Sequence, residues 1–270
     1  MLTASDTAYA IAVIRAREAD FPESERLFED PYARLFADAG EHAREGTERF
    51  LALPFFRDGI RLRTRHIDDV VREALSHGAR QLVLMGAGFD SRALRMPEVA
   101  QRGAHVFEID LPLQLEAKRG LLAGAGVVIP GNVRYVPCDF ASEFEDRLQG
   151  DLLAQGFDRS APTMFVWEGV LAYIDQRAKD RSLRFMASIG GPGSRLIFDF
   201  ATPVLEPEEA SKQALRAGFA SFHHVGFDDL WRRHLPGDPA PSAVIMKLGV
   251  ASKEPDSASP EAQSGSPRRA

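Results

Sequence analysis

Cysteine is nearly absent from this sequence: its 270 residues include one, Cys138. A lone cysteine cannot close an intrachain disulfide, and without a C-x-x-C pair or a Cys/His cluster there is no zinc-site pattern. No metal is expected, and a reducing cytoplasm is the compartment that fits. Long apolar runs are missing too. None approaches the roughly 18 residues that a membrane-spanning helix needs. The N-terminal stretch MLTASDTAYAIAVIRARE carries an apolar patch with no basic residue ahead of it, and Arg15, Arg17 and Glu18 follow at once, so no secretory signal is expected. Positive charge is also short: 33 Lys+Arg against 39 Asp+Glu leave a net charge of −6, which disfavours a polyanion such as nucleic acid as the partner. What is present is an ordinary globular balance, 44% hydrophobic and 27% charged, which excludes a fibrous or wholly disordered chain.

The last nineteen residues, SKEPDSASPEAQSGSPRRA from Ser252 to Ala270, contain no aromatic and no branched aliphatic side chain. Nothing there can be buried, so a disordered tail is expected. At the other end, Ala8, Ile11, Ala12 and Ile14 predict a helix from Ser5 to Glu18 capped by Ser5 or Asp6. Asp30-Pro31 predicts a second helix, with Tyr32, Leu35 and Phe36 on one face. The stripe Ile60, Ile67, Val70, Val71, Ala74 and Leu75 predicts a long helix from Gly59 to His77, closed by Gly78.

Beyond Gly78 the pattern alternates. Short apolar runs at Gln81–Met85, His105–Ile109, Val133–Val136, Met164–Trp167 and Leu196–Phe200 are separated mostly by helical patterns, which specifies a parallel sheet with helices on both faces. Ala243–Val250 reads as a final strand with no room for a crossover helix after it, so it is expected to run antiparallel.

In open α/β sheets ligands bind beyond the carboxyl ends of the strands. After the first predicted strand stands Gly86-Ala87-Gly88-Phe89-Asp90-Ser91-Arg92, a glycine turn that lets backbone approach a ligand. After the second stands Asp110, twenty-two positions beyond Gly88, the spacing at which a carboxylate grips ribose hydroxyls. A dinucleotide-binding oxidoreductase using NAD would show both features. Its fingerprint needs glycine where Ser91 stands, and the Asp90 carboxylate beside it would repel a pyrophosphate. A cationic sulfonium cofactor, S-adenosyl-L-methionine, suits such a turn better. After the third strand, Asp139-Phe140 could meet an adenine, or Asp139 could cap the next helix. After the fourth, Glu168 leaves the strand where the methyl-donor end of a cofactor would lie.

Five blocks in this order resemble the leucine carboxyl methyltransferase family: Leu27-Phe28-Glu29-Asp30-Pro31-Tyr32-Ala33, Arg61-Leu62-Arg63-Thr64-Arg65, Leu84 to Arg92, Phe107-Glu108-Ile109-Asp110-Leu111-Pro112, and Glu168-Gly169-Val170-Leu171-Ala172-Tyr173. The resemblance runs from about Thr7 to Ala251 and is closest to the bacterial branch with polyketide carboxyl methyltransferases of the tetracenomycin type. It implies a doubly wound, mostly parallel seven-stranded sheet behind an N-terminal helical lid. It also implies that Arg63 holds the cofactor's methionine carboxylate and that Gly86, Ala87 and Gly88 form the turn beneath it. Asp110, with Leu111, would hold the ribose, Asp139 and Phe140 the adenine, and Glu168 the methionine amino group. Eukaryotic members add an N-terminal lysine; here none precedes Lys118, which leaves Arg15 or Arg17 for that contact.

Residues 1–60 are then expected as the lid, 61–251 as the catalytic domain and 252–270 as tail. The implied activity is methyl transfer to a small-molecule acceptor, with methylation of a protein carboxyl terminus as a lower-ranked reading within the family. A carboxylate nucleophile is already ionised near neutral pH and needs no base. A hydroxyl acceptor would make His223 or His224 the candidate base. Phe50, Leu53, Phe55 and Phe56 are candidate pocket residues under the lid, and Phe219 and Phe222 could meet a polycyclic or aryl acid.

Overall fold

The computed structural model describes residues 4–40, 48 and 54–254. Phe50, Leu53, the side chain of Phe55 and the expected tail beyond residue 254 lie outside the described residues.

The expected alternation is realised as β1 (Gln81–Met85), β2 (His105–Asp110), β3 (Val133–Pro137), β4 (Thr163–Trp167) and β5 (Arg195–Ala201), followed by β6 (Ser221–Gly226) and β7 (Met246–Ser252). They form one seven-stranded sheet in the order β3-β2-β1-β4-β5-β7-β6. The first five strands pair in parallel, whereas β7 runs antiparallel to both β5 and β6. Both β1 and β4 are buried at every position, as expected of strands covered on two faces. Their alternate residues feed different cores. Leu82 and Leu84 pack with one face's helices, and Val83 and Met85 with the other's.

The first face is covered chiefly by α3 (Pro54–Ser76), which inserts Leu62, Ile67, Val71 and Leu75 into the core. Gly78, at φ +101°, ends it by turning the chain so that the Ala79 N–H reaches the Ala74 carbonyl. The helix begins five residues before the expected Gly59 and runs unbroken through residue 60. The other face is covered by α7 (Glu145–Ala154), α8 (Gln176–Ile189) and α9 (Pro207–Ala217).

Two further helices, α1 (Ala4–Arg17) and α2 (Ala33–Ala39), pack on the turn after β1: the Phe89 ring stacks on Phe36 at 4.8 Å and meets Tyr9 at 4.7 Å. Because α1 starts at Ala4, Ser5 and Asp6 lie inside it and do not cap it. The Asp30 carboxylate does meet the start of α2, accepting the N–H groups of Tyr32 and Ala33 at 3.2 and 3.0 Å. At the far end of the chain, β7 begins at Met246, since Pro241–Ile245 form a short 3-10 turn instead of the strand's first residues. Strand β6 is unanticipated; it is an edge strand with His223 and His224 exposed.

Candidate active site

Strand order reverses at β1 and β4, where crossover connections leave in opposite directions and open a crevice at the carboxyl ends. A cavity of about 280 Å³ lies there. It is lined by all nine expected cofactor residues: Arg63, Gly86, Ala87, Gly88, Asp110, Leu111, Asp139, Phe140 and Glu168.

The floor is the turn after β1. Gly86 and Ala87 donate their N–H groups to the Ile109 carbonyl, at 2.8 and 2.9 Å, and Gly88 donates to Asp110 Oδ2 at 2.6 Å. Gly86 holds φ +78°, and a Cβ there would overlap the Val170 Cγ2 methyl, so the turn requires glycine both conformationally and sterically. Beneath it, the fully buried Lys118 on α6 (Pro112–Gly124) donates to the Asp90 carbonyl and to Glu108 Oε2, the latter at 2.6 Å.

Asp110 closes β2. Its second oxygen accepts the Leu111 N–H at 2.7 Å. Burial pushes its carboxyl above the ordinary value, against the two N–H donors. Asp139 is exposed, its Oδ1 accepting the Ala141 N–H at 2.9 Å; it does not cap α7, which starts six residues later at Glu145. The Phe140 ring lies edge-on to Phe144 and is buried.

On the opposite side of the cavity the charges interlock. Arg63 Nε lies 2.7 Å from Glu168 Oε1, and its Nη1 donates to Asp199 Oδ2 at 3.1 Å. Its Nη2 is buried with no hydrogen-bond partner. Asp199 also accepts the Gly169 N–H at 2.6 Å. Glu168 Oε2 accepts from Arg92 Nη1 at 2.9 Å. Burial alone would raise the Glu168 carboxyl, and the Arg63 and Arg92 guanidiniums override it and hold the carboxyl below its ordinary value. Asp90 behaves alike: burial opposes ionisation, but Arg92, aided by Arg15 and Lys118, brings it down to about 2. The Asp90 carboxylate lines the cavity already neutralised by Arg92, which corrects the expectation that it stands free to repel an anion.

A third wall comes from α1 through Thr7, Ala8, Ile11 and Arg15. Arg15 is buried, with Nε 3.1 Å from Asp30 Oδ2 and Nη2 donating to the Phe89 carbonyl. Arg17 points away to Glu48. Of these α1 residues only Arg15 was a sequence-based candidate for the site. Tyr173 and Ile174, after β4, complete the rim, and Tyr173 Oη donates to Thr7 Oγ1 at 2.6 Å.

Neither His223 nor His224 lines the cavity, since β6 is at the sheet's edge. Phe219 is buried in the core and Phe222 packs on Phe198 and Phe200, so neither reaches the cavity; nor does Phe56 line it. Among the described residues no cluster of His, Cys, Asp or Glu is placed to hold a metal, and no helix is long and apolar enough to cross a membrane.

Solved structures identify the class. The chain superposes on a provisionally assigned methyltransferase of Thermobifida fusca with a TM-score of 0.59, at 20% identity, over 79% of this chain and 89% of that one. It also superposes on the CurJ carbon methyltransferase at 0.54 and 14% identity, over 92% and 67%. The fold is that of the α/β methyltransferases. Sequence comparison then narrows it. The leucine carboxyl methyltransferase model matches residues 8–187, and the chain belongs to that family of S-adenosyl-L-methionine-dependent methyltransferases. A relative in Mycolicibacterium smegmatis, provisionally named an S-adenosyl-L-methionine-dependent methyltransferase, is 33% identical over 86% of this chain and 68% of its own. One in Mycolicibacterium gilvum with the same name is 30% identical over 94% and 83%. A third, in Mycobacterium sp. strain JLS, is 37% identical over 64% of this chain and 54% of its own length.

Proposed function

We propose that this methyltransferase acts on the carboxylate of a small-molecule acceptor, a polyketide or aryl acid among the candidates, in the cytoplasm. The observation that carries the cofactor assignment is Arg63, a buried arginine that lines the cavity and keeps one guanidinium nitrogen, Nη2, without a hydrogen-bond partner, among lining residues that match the groups of an adenosyl amino acid. A guanidinium with a spare donor suits a carboxylate. Glu168 suits an ammonium, Asp110 a pair of ribose hydroxyls, and Asp139 with Phe140 an adenine amino group and ring. When bound, the cofactor supplies an electrophilic methyl on a sulfonium.

The chain's own contribution is alignment and exclusion of water. In-line displacement at carbon needs nucleophile, methyl and sulfur held on one axis in a dry site. Arg63, Glu168 and Asp110 fix the cofactor's two ends, and α1 acts as a lid over the crevice. No histidine lies among the described lining residues, which suits an acceptor that arrives ionised.

Calorimetric titration with S-adenosylhomocysteine tests the cofactor assignment: saturable binding is expected, with none for NADH. The reverse preference would overturn it. Turnover with paired carboxylic and phenolic acceptors tests the finer claim. A methyl ester releases methanol in mild alkali; an alkali-stable ether would instead assign a hydroxyl acceptor.

A further inference from the structure

Arg92 is 1% exposed and does not line the cavity, yet it holds one oxygen of the carboxylate of Glu168, which does. Its Nε donates to Asp68 Oδ1 at 2.8 Å, and its Nη1 is shared between Asp90 Oδ2 and Glu168 Oε2. Asp68 is itself clamped by Arg95, through Nη1 and Nη2 at 2.7 and 2.8 Å. The Arg92 backbone N–H also donates to Asp90 Oδ1 at 2.7 Å, so Arg92 is locked at both ends. The result is a chain of alternating charges running from Arg95 through Asp68, Arg92, Glu168 and Arg63 to Asp199.

We propose that Arg92 is a positioning residue: from behind the cavity wall it fixes the orientation and the ionised state of Glu168, so that Glu168 can pair with the cofactor's ammonium group. This rests on the reading of the cavity as an S-adenosyl-L-methionine site. A buried carboxylate without enough cationic partners takes up a proton and becomes a poor partner for an ammonium. Arg63 alone cannot supply that compensation, because it divides its charge between Glu168 and Asp199. Arg92 supplies the rest, and by occupying Oε2 it fixes the plane of the carboxyl group. The charged groups that face Glu168 are Arg63 on α3, Arg92 and Asp90 at the turn after β1, and Arg15 on α1. Asp199 on β5 acts on it through Arg63. Of these, Arg92 is the one that touches Glu168 without reaching the ligand space.

The test is calorimetric titration of S-adenosylhomocysteine between about pH 8 and about pH 5.5, read as the ratio of variant to wild-type Kd. Taking that ratio cancels the wild type's own pH dependence. For Arg92→Gln the ratio should rise at least about five-fold on acidification, because losing one cationic neighbour moves a carboxyl upward by about one to three pH units. Arg92→Lys should rise less, and adding Glu168→Gln to Arg92→Gln should make the ratio independent of pH. Asp68→Asn, which loosens the anchor but leaves both guanidiniums on Glu168, should weaken the fold without a pH-dependent ratio. A constant ratio for Arg92→Gln, with the wild type binding normally, would sink the proposal and leave the site assignment standing. If Arg92→Gln does not fold, Arg92→Lys decides. An ammonium cannot span Glu168 and Asp68 together, so its ratio must rise at least about two-fold, and a flat one overturns the proposal. If the wild type fails to bind, or Glu168→Gln binds as the wild type does, the site assignment fails and takes this proposal with it.

Discussion

The two halves of the cavity treat carboxylates in opposite ways. Toward β2 and β3, Asp110 and Asp139 meet backbone N–H groups and, among the described residues, no cation within ion-pair reach. Toward β1, β4 and β5, Asp90, Glu168 and Asp199 are each engaged by a buried guanidinium. Burial raises the Asp110 carboxyl, while the arginines hold Glu168 and Asp90 low. On the proposed reading, the first half keeps its acceptor capacity for a neutral partner such as a diol. The second has balanced its charge in advance and so offers a zwitterion a fixed set of paired positions. One half therefore contributes mainly to binding, and the other to binding and folding together.

Arg63→Met should show the largest effect and reach both properties. It leaves the Asp199 carboxylate buried with only the Gly169 N–H, and breaking one side of a buried pair costs about 3–5 kcal/mol. A fall in Tm of roughly 10 °C is expected, together with loss of S-adenosylhomocysteine binding. Asp110→Ala should separate the two. It removes a charged acceptor for two ligand hydroxyls, at about 1.5–3 kcal/mol each, so affinity should fall at least about 100-fold. Tm should move by less than about 3 °C, because no ion pair is broken. Equal losses of Tm in both variants, read by scanning calorimetry, would erase the distinction between the halves.

Acid should separate them again. A group whose folded pKa is depressed contributes stability above its unfolded value and loses it as pH falls through the folded one. For Asp90, moved from 3.8 to about 2, this predicts a loss of about 2 kcal/mol as pH drops from about 4 to about 2. Asp110 shifts the other way. It takes up its proton at higher pH than Asp90, so cofactor affinity should weaken before this part of the fold does. His66, which does not line the cavity, adds an earlier stage: burial, opposed by Asp69 and aided by Arg233, His234 and His223, brings it down to about 4. A depressed histidine loses stability between its unfolded value near 6.5 and the folded one, and His66→Gln should remove that stage from chemical-denaturation curves taken across the range.

The same contrast explains what could be read from the sequence. The place of Gly86, Gly88 and Asp110 in the cavity lining was legible because it follows from position relative to a strand end and needs no distant partner. The strands themselves were legible as runs such as QLVLM and TMFVW, which only a doubly covered sheet requires. Strand β6 was not, since SFHHVG is an exposed edge whose ladder depends on β7, twenty residues later. Arg92 was hidden for a related reason. Its partners Asp68 and Glu168 are 24 and 76 positions away, and no local pattern tells a buried hub from a solvated helix charge. Arg15 and Arg17 were indistinguishable by sequence; two positions apart, they leave different sides of the helix, the first toward Asp30 and the second toward Glu48.

The third wall, α1, tests whether closure is a separate matter from charge in either half. Tyr173 Oη to Thr7 Oγ1, at 2.6 Å, is a direct polar link between α1 and the turn after β4, the two sides of the cavity mouth. Tyr173 is 45% exposed, so the net worth of this bond is about 0.5–1 kcal/mol. Tyr173→Phe deletes it while keeping the ring. α1 is held as well by the packing of Tyr9 on Phe89 and by Arg15 on Asp30 and the Phe89 carbonyl. Tm should therefore fall by no more than about 1–4 °C. If the link secures the closed mouth, the dissociation rate of S-adenosylhomocysteine in stopped-flow measurements should rise about two- to five-fold, with little change in the association rate. An unchanged dissociation rate would mean that this hydrogen bond does not secure the mouth.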